Sequence, residues 1–240
     1  MTRIIKKVYA LHWQQLIAGL LVPLLTLTSG CTSKQLVVSA DFPAPLVEQL
    51  PHTLGLYFDD SFRNYQHQEE SKDRPDWSIT TGPAQVDLFT AVMPRLFRAA
   101  PIVSQLPDAT HPATTDLVLQ PKVSDFQFAI PRETKFKVYE VWIKYQLAVV
   151  DARGNLVAEW MAAAYGKTPT LFMQDDEDAM NAAIEVALRD LGANLSITLP
   201  RIPELKQWLA TRQRSTTESL EQNTKLEPTT ISRRKSDSGT

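Results

Sequence analysis

Few residues in this sequence have the types and spacing that chemistry requires, and each has a plainer reading beside it. Asp59 and Asp60 stand together after an apolar run, and a pair of carboxylates can divide general acid and base roles. Adjacent residues on an extended chain point to opposite faces, though, and aspartates that end strands usually form turns. Asp175, Asp176, Glu177 and Asp178 offer oxygen ligands for a divalent cation. They also precede an apolar periodic stretch, and carboxylates are favoured at the positive end of a helix. No histidine or second acidic cluster lies nearby in sequence, so the capping reading is preferred. The four histidines, His12, His52, His67 and His111, do not fall at metal-ligand spacing. A search for Gly-x-Ser-x-Gly, Gly-x-Gly-x-x-Gly and phosphate-loop motifs is empty. The expectation is a non-enzyme without metal or cofactor, with a hydrolase using Asp59 and Asp60 as one alternative.

The remaining reactive side chain is Cys31, the only cysteine in 240 residues. Arg3, Lys6 and Lys7 come first with no acidic residue among them, and residues 16–27, LIAGLLVPLLTL, carry no charge. A basic start followed by a short apolar core is the layout of a secretory signal peptide, assigned to residues 1–30. A membrane-spanning helix needs roughly 20 apolar residues, and this run is shorter and interrupted by Pro23. Ser29 and Gly30 ahead of Cys31 resemble the lipobox of bacterial lipoproteins, with Thr28 where leucine is commonest. That resemblance implies cleavage before Cys31 and lipidation of its thiol, which accounts for an exported cysteine with no disulfide partner. One acyl chain holds a protein only marginally, whereas the several chains implied here anchor durably. Thr32 is not the aspartate that retains such lipoproteins in the inner membrane. The analogy implies the outer membrane, on its periplasmic face.

Without the signal the formal charge moves from −2 to −5, and no basic stripe with interleaved aromatics points to nucleic acid. Residues 31–51 hold three prolines and no sustained period, the composition of a membrane tether. Residues 211–240 contain no aromatic and only Leu220, Leu226 and Ile231 as large apolar side chains, so the tail is expected to be disordered. The folded α/β domain is assigned to residues 52–210, enough for one core without disulfide staples.

The elements of that domain follow from period. Residues 52–58, HTLGLYF, read as a buried strand, and the polar residues after it as a turn or exposed hairpin. Thr81, Gly82 and Pro83 open a helix with Val86, Phe89, Met93 and Phe97 at helical spacing, kinked or stopped by Pro94. Residues 115–130 read as a strand bulged or at an edge because of Pro121. Tyr139, Val141, Ile143, Tyr145, Leu147 and Val149 alternate with Glu140, Trp142, Lys144 and Gln146, the pattern of a strand covered on one face. DARGN, 151–155, is turn chemistry leading to another strand over 156–168. Met180, Ile184, Ala187, Leu188, Leu191 and Leu195 then mark a last helix. This order predicts an α+β fold: a two-layer α/β sandwich, its sheet mainly antiparallel, with two helices on one face.

The lipobox, LGLYFDD, AQVDLFTAVMPRLF, TDLVLQPKVSDFQF, VVDARGNLV and the last helix together resemble the small periplasmic α/β lipoproteins, over about residues 53–199. These include the lipopolysaccharide-assembly lipoprotein and the auxiliary lipoproteins of ABC-type lipid transport. The resemblance implies a non-catalytic binding or scaffold module of an envelope transport or assembly system, with an envelope protein as partner and the membrane reached through the lipid. The expected working surface is the uncovered sheet face, displaying Trp142, Lys144 and Gln146, or Trp160 and Tyr165 of the next strand. Core placement is slightly preferred for Trp160. A structural tether reaching peptidoglycan or a partner through the tail is the other alternative.

Overall fold

The computed structural model describes residues 33–169 and 175–212. The signal segment, Cys31 and all of the tail beyond residue 212 lie outside them. The described strands are β1 (Ser33–Val37), β2 (Leu50–Tyr57), β3 (Gln66–Glu69), β4 (Asp76–Thr80), β5 (Phe97–Ala99), β6 (Ile102–Val103), β7 (Leu117–Ala129), β8 (Val138–Asp151) and β9 (Leu156–Pro169). The helices are α1 (Asp60–Arg63), α2 (Gly82–Leu96), α3 (Asp176–Thr198) and α4 over residues 203–212, with a 3-10 turn at Leu199–Arg201.

These residues fall into two compact units. The smaller holds residues 33–35 and Gln68–Ser78, where the Lys34 ammonium stands 5.5 Å from the centre of the Trp77 ring. The larger takes in Leu36–His67 and the described residues from Ile79 onward. β1, β4 and β3 form a three-stranded sheet in that order, and the polar stretch after β2 is a one-turn helix followed by the β3–β4 hairpin.

The main sheet has the order β5-β2-β7-β8-β9, with β6 also on β2. β7, β8 and β9 are antiparallel over long ladders, and their alternation sorts side chains cleanly. Val141, Ile143, Tyr145, Leu147 and Val149 of β8 are all at most 1% exposed. Opposite them on β9 stand Gly166, Ala164, Ala162, Trp160 and Ala158. Large residues on one strand and mostly small ones on the next leave a shallow trough, and α3 settles into it. Met180, Ile184, Ala187, Leu188, Leu191 and Leu195 of α3 are fully buried, as the stripe predicts. α2 covers the same face: Phe62 bridges Phe89 of α2 and Tyr145 of β8, at 5.9 and 6.5 Å between ring centres. The architecture is the expected α+β sandwich with both long helices on one face.

Several local expectations hold and others need correction. Asp151 accepts from the Arg153 and Asn155 amides at 2.8 and 2.9 Å, and Gly154 takes φ +85°, closing the β8–β9 turn. α2 has a proline in its first turn and ends two residues beyond Pro94. Thr81 caps it by position only, since its hydroxyl accepts from the side-chain Nε2 of Gln85 at 2.7 Å and not from a backbone amide. The buried stripe of α2 runs through Leu88, Phe89, Val92, Met93 and Leu96, leaving Val86 at its margin. β7 lies inside the sheet, yet its ladder with β2 stops at Leu56↔Leu119, so Pro121 has no strand partner on that side among the described residues, and the irregularity comes between Val123 and Asp125. β2 pairs in parallel with β5, β6 and β7, an arrangement period alone does not encode. Residues 33–51, expected as a bare tether, supply β1 and the buried Leu36 and Val38. At the other end α4 crosses the expected boundary at residue 210, burying Leu205 and Leu209.

Candidate functional site

Among the described residues, the face of β7–β9 away from the helices carries the exposed side chains best placed to meet a partner. Trp142 and Tyr165, opposite each other across the β8–β9 ladder, pack with ring centres 5.3 Å apart at 34°. Both remain more than a third exposed, and Met161, four residues from Tyr165 on the same face of β9, is 57% exposed. Tyr165 donates to Glu140 Oε1 at 3.3 Å. Lys144 Nζ pairs with Asp125 Oδ2 at 3.2 Å, and Gln127 Nε2 donates to the same oxygen at 2.8 Å. Gln146 donates to Glu159. Trp142, Lys144 and Gln146 thus share one exposed surface, an aromatic patch bordered by an ordered polar network. Apolar rings framed by charged groups suit protein recognition, where tryptophan, tyrosine and methionine are enriched.

Trp160 does not belong to that surface. Alternation along β9 sends Trp160 and Tyr165 to opposite faces, so the two cannot be displayed together, and Trp160 lies half-buried on the helix side opposite Leu147.

The carboxylate candidates have structural tasks. Asp59 is the N-cap of α1, accepting from the Phe62 amide at 2.8 Å and the Ser61 hydroxyl at 2.6 Å. Burial raises its pKa, but these hydrogen bonds outweigh it and hold the carboxyl below the usual range. Asp60 is exposed in the first turn. Asp175 caps α3 by accepting from the Asp178 amide at 2.8 Å, and Asp176 accepts from the Tyr139 hydroxyl at 2.5 Å. Burial, then that hydrogen bond, pushes the Tyr139 phenol well above its ordinary value.

Sequence reasoning missed a cluster joining β2 to the start of β7. Thr53 donates both its amide and its hydroxyl to Asp116 Oδ2, at 2.8 and 2.9 Å, and its hydroxyl accepts from the Asp116 amide at 2.9 Å. His52 Nδ1 stands 3.8 Å from the same carboxylate oxygen. The imidazole meets Trp208 of α4 edge-on at 5.8 Å, and its buried Nε2 has no partner among the described residues. Burial lowers the His52 pKa, with Asp116 opposing, and the net shift keeps the ring neutral near pH 7. The Thr53 hydroxyl is engaged with Asp116 in both directions, so this is a clasp and not a nucleophile–base pair. No spacing rule connects residues 63 apart in sequence.

A groove of about 310 Å³ runs between residues 42–47 and the two long helices, with Phe42, Pro45, Leu88, Val92 and Ile197 in its walls. Among the described residues no group of three acidic, histidine or cysteine side chains has metal-binding geometry, and no helix is long and apolar enough to cross a membrane.

No protein-family model and no curated protein matches the chain. Solved structures do resemble it. One is a Xanthomonas campestris protein of family DUF330, at 14% identity and a TM-score of 0.46, covering 77% of this chain and 99% of that one. Another is a minor lipoprotein from Acinetobacter baumannii, at 11% identity and a TM-score of 0.35, covering 63% of this chain and 92% of that one.

Proposed function

We propose that this chain is a non-catalytic lipoprotein, lipid-anchored through Cys31 to the periplasmic face of the outer membrane, that docks an envelope protein of a transport or assembly system. The observation that carries the docking role is the exposed Trp142–Tyr165 pair, with Met161 farther along β9 on the same face, bordered by the Lys144, Asp125 and Gln146 network. Aromatic anchors on a rigid scaffold bind at low entropic cost. The anchoring role rests on the sequence around the single cysteine.

Two experiments test the two halves. Cys31→Ser should abolish incorporation of labelled palmitate and release the protein from the membrane fraction; undiminished labelling would remove the anchor from the reading. Photo-crosslinking in cells from position 142 should capture an envelope protein, and Tyr165→Ala should reduce that capture severalfold. Equal capture from a probe on the helix face would show that the open sheet face is not the docking surface.

A further inference from the structure

β9 ends the strand order of the main sheet. One edge of this 14-residue strand therefore has no strand partner among the described residues. Exposed edges are usually blunted by charge, proline or bulges. β9 carries only Glu159 and Lys167 as charges, its proline is its last residue, and its ladder with β8 is regular from Ala158 onward.

The outward-facing backbone groups can be identified. The Tyr165 amide donates to Asp190 Oδ2 of α3 at 3.3 Å, so it points away from β8, and a strand that pairs there takes the place of that carboxylate. Strand alternation then turns the amides and carbonyls of residues 159, 161, 163 and 167 the same way. Their side chains all lie on the uncovered face with Tyr165.

We propose that two copies of this chain pair antiparallel through β9, about a two-fold axis at Ala163, to form one continuous sheet. A two-fold there sets residues equidistant from 163 opposite each other. Glu159 meets Lys167 of the second copy, and by symmetry this happens twice. Met161 meets Tyr165, a sulfur–aromatic contact. Two alanines face each other at the axis. Neighbouring registers lose this match. An axis at Met161 sets Glu159 against Ala163 and Lys167 against Asn155, and an axis at Tyr165 sets Lys167 against Ala163. Parity agrees as well: Ala163 presents its amide and carbonyl outward, as a hydrogen-bonded pair on the axis requires. Isologous two-fold pairing is the commonest form of self-association. The pairing joins the two aromatic faces side by side and does not depend on the lipid or on the docking role.

The test uses the full chain with Cys31→Ser, so that an introduced cysteine is the only thiol. In an antiparallel hydrogen-bonded pair the Cα atoms lie about 5.5 Å apart, inside the disulfide range of roughly 4.4–6.8 Å. Ala163→Cys should give a disulfide-linked dimer under mild oxidation, while Lys144→Cys, on the same face but off the edge, should not. By sedimentation, Lys167→Glu should weaken the unlinked dimer about tenfold, because like charges opposed across strands are unfavourable and the contact occurs twice. Adding Glu159→Lys should restore it. A monomer that Ala163→Cys does not crosslink would overturn the proposal, as would a dimer whose affinity ignores both charge reversals.

Discussion

Gly166 of β9 lies directly beneath Ala187 of α3: a β-carbon on the glycine would stand 2.4 Å from the Ala187 amide nitrogen and 2.0 Å from the Ala183 carbonyl oxygen. Both obstacles are helix backbone, so neither can swing aside. Gly166→Ala must lift the helix from the trough or bend the strand. We expect a loss of about 1–3 kcal/mol, as for other overpacked cores. Urea denaturation should show a lowered midpoint with little change in slope.

The same layer predicts a sharp contrast along β8. Val149→Asp places a carboxylate without a partner where a residue is 1% exposed, which costs several kcal/mol and is enough to unfold a marginal domain. Gln146→Asp, on the open face, loses the hydrogen bond to Glu159 and sets like charges together, at a cost of no more than about 1 kcal/mol. Thermal unfolding followed by circular dichroism separates the two, and equal effects would contradict the two-sided strand.

Acid should weaken the clasp between β2 and β7. Burial raises the Asp116 pKa, but the Thr53 amide and hydroxyl overcome it, leaving the folded-state value below that of the unfolded chain. The folded state thus binds this proton less readily, and stability rises with pH across the interval between the two values. The contribution is complete above the ordinary aspartate range near pH 4 and is lost as pH falls through the lower folded value. Asp116→Asn removes the titration, so a plot of unfolding midpoint against pH should be flatter below pH 4 than for the natural chain.

His52 offers a spectroscopic check on α4. Its pKa is lowered first by burial, and Trp208 packs edge-on against the ring. Trp208→Ala opens that side to water, so the His52 titration followed by NMR should move up toward 6.5, the ordinary histidine value. An unmoved titration would mean that α4 does not shield the ring.

What could be read from the sequence divides along physical lines. β8 and β9 were legible because each has one face against helices and one against water, which writes a period of two into residues 139–149 and the turn into Asp151 and Gly154. α3 was legible for the same reason at a period of 3.6. The open face followed from alternation, and so should the split between Trp160 and Tyr165, since residues an odd number apart on a strand cannot share a side. β1 and residues 42–47 were not legible, because short segments that pack through two or three side chains leave no period. The parallel placement of β2 and the Thr53–Asp116 clasp depend on contacts across more than sixty residues. α4 left a weak signal: Pro203 opens it, and Leu205, Trp208 and Leu209 follow at helical spacing.

That long reach of β2 sets the order in which the molecule can assemble. The β8–β9 hairpin closes over the short turn at residues 152–155, and such closures take microseconds. β2 must wait for Leu117, Val118 and Leu119 to meet Leu54, Gly55 and Leu56, and contacts that distant in sequence slow folding because loop entropy is lost before they form. Under the proposed export, N-terminus first, β2 emerges early and is satisfied late. Through that interval its apolar residues have no sheet to join, which makes the incompletely folded chain, rather than the finished sandwich, the state most exposed to aggregation and proteolysis.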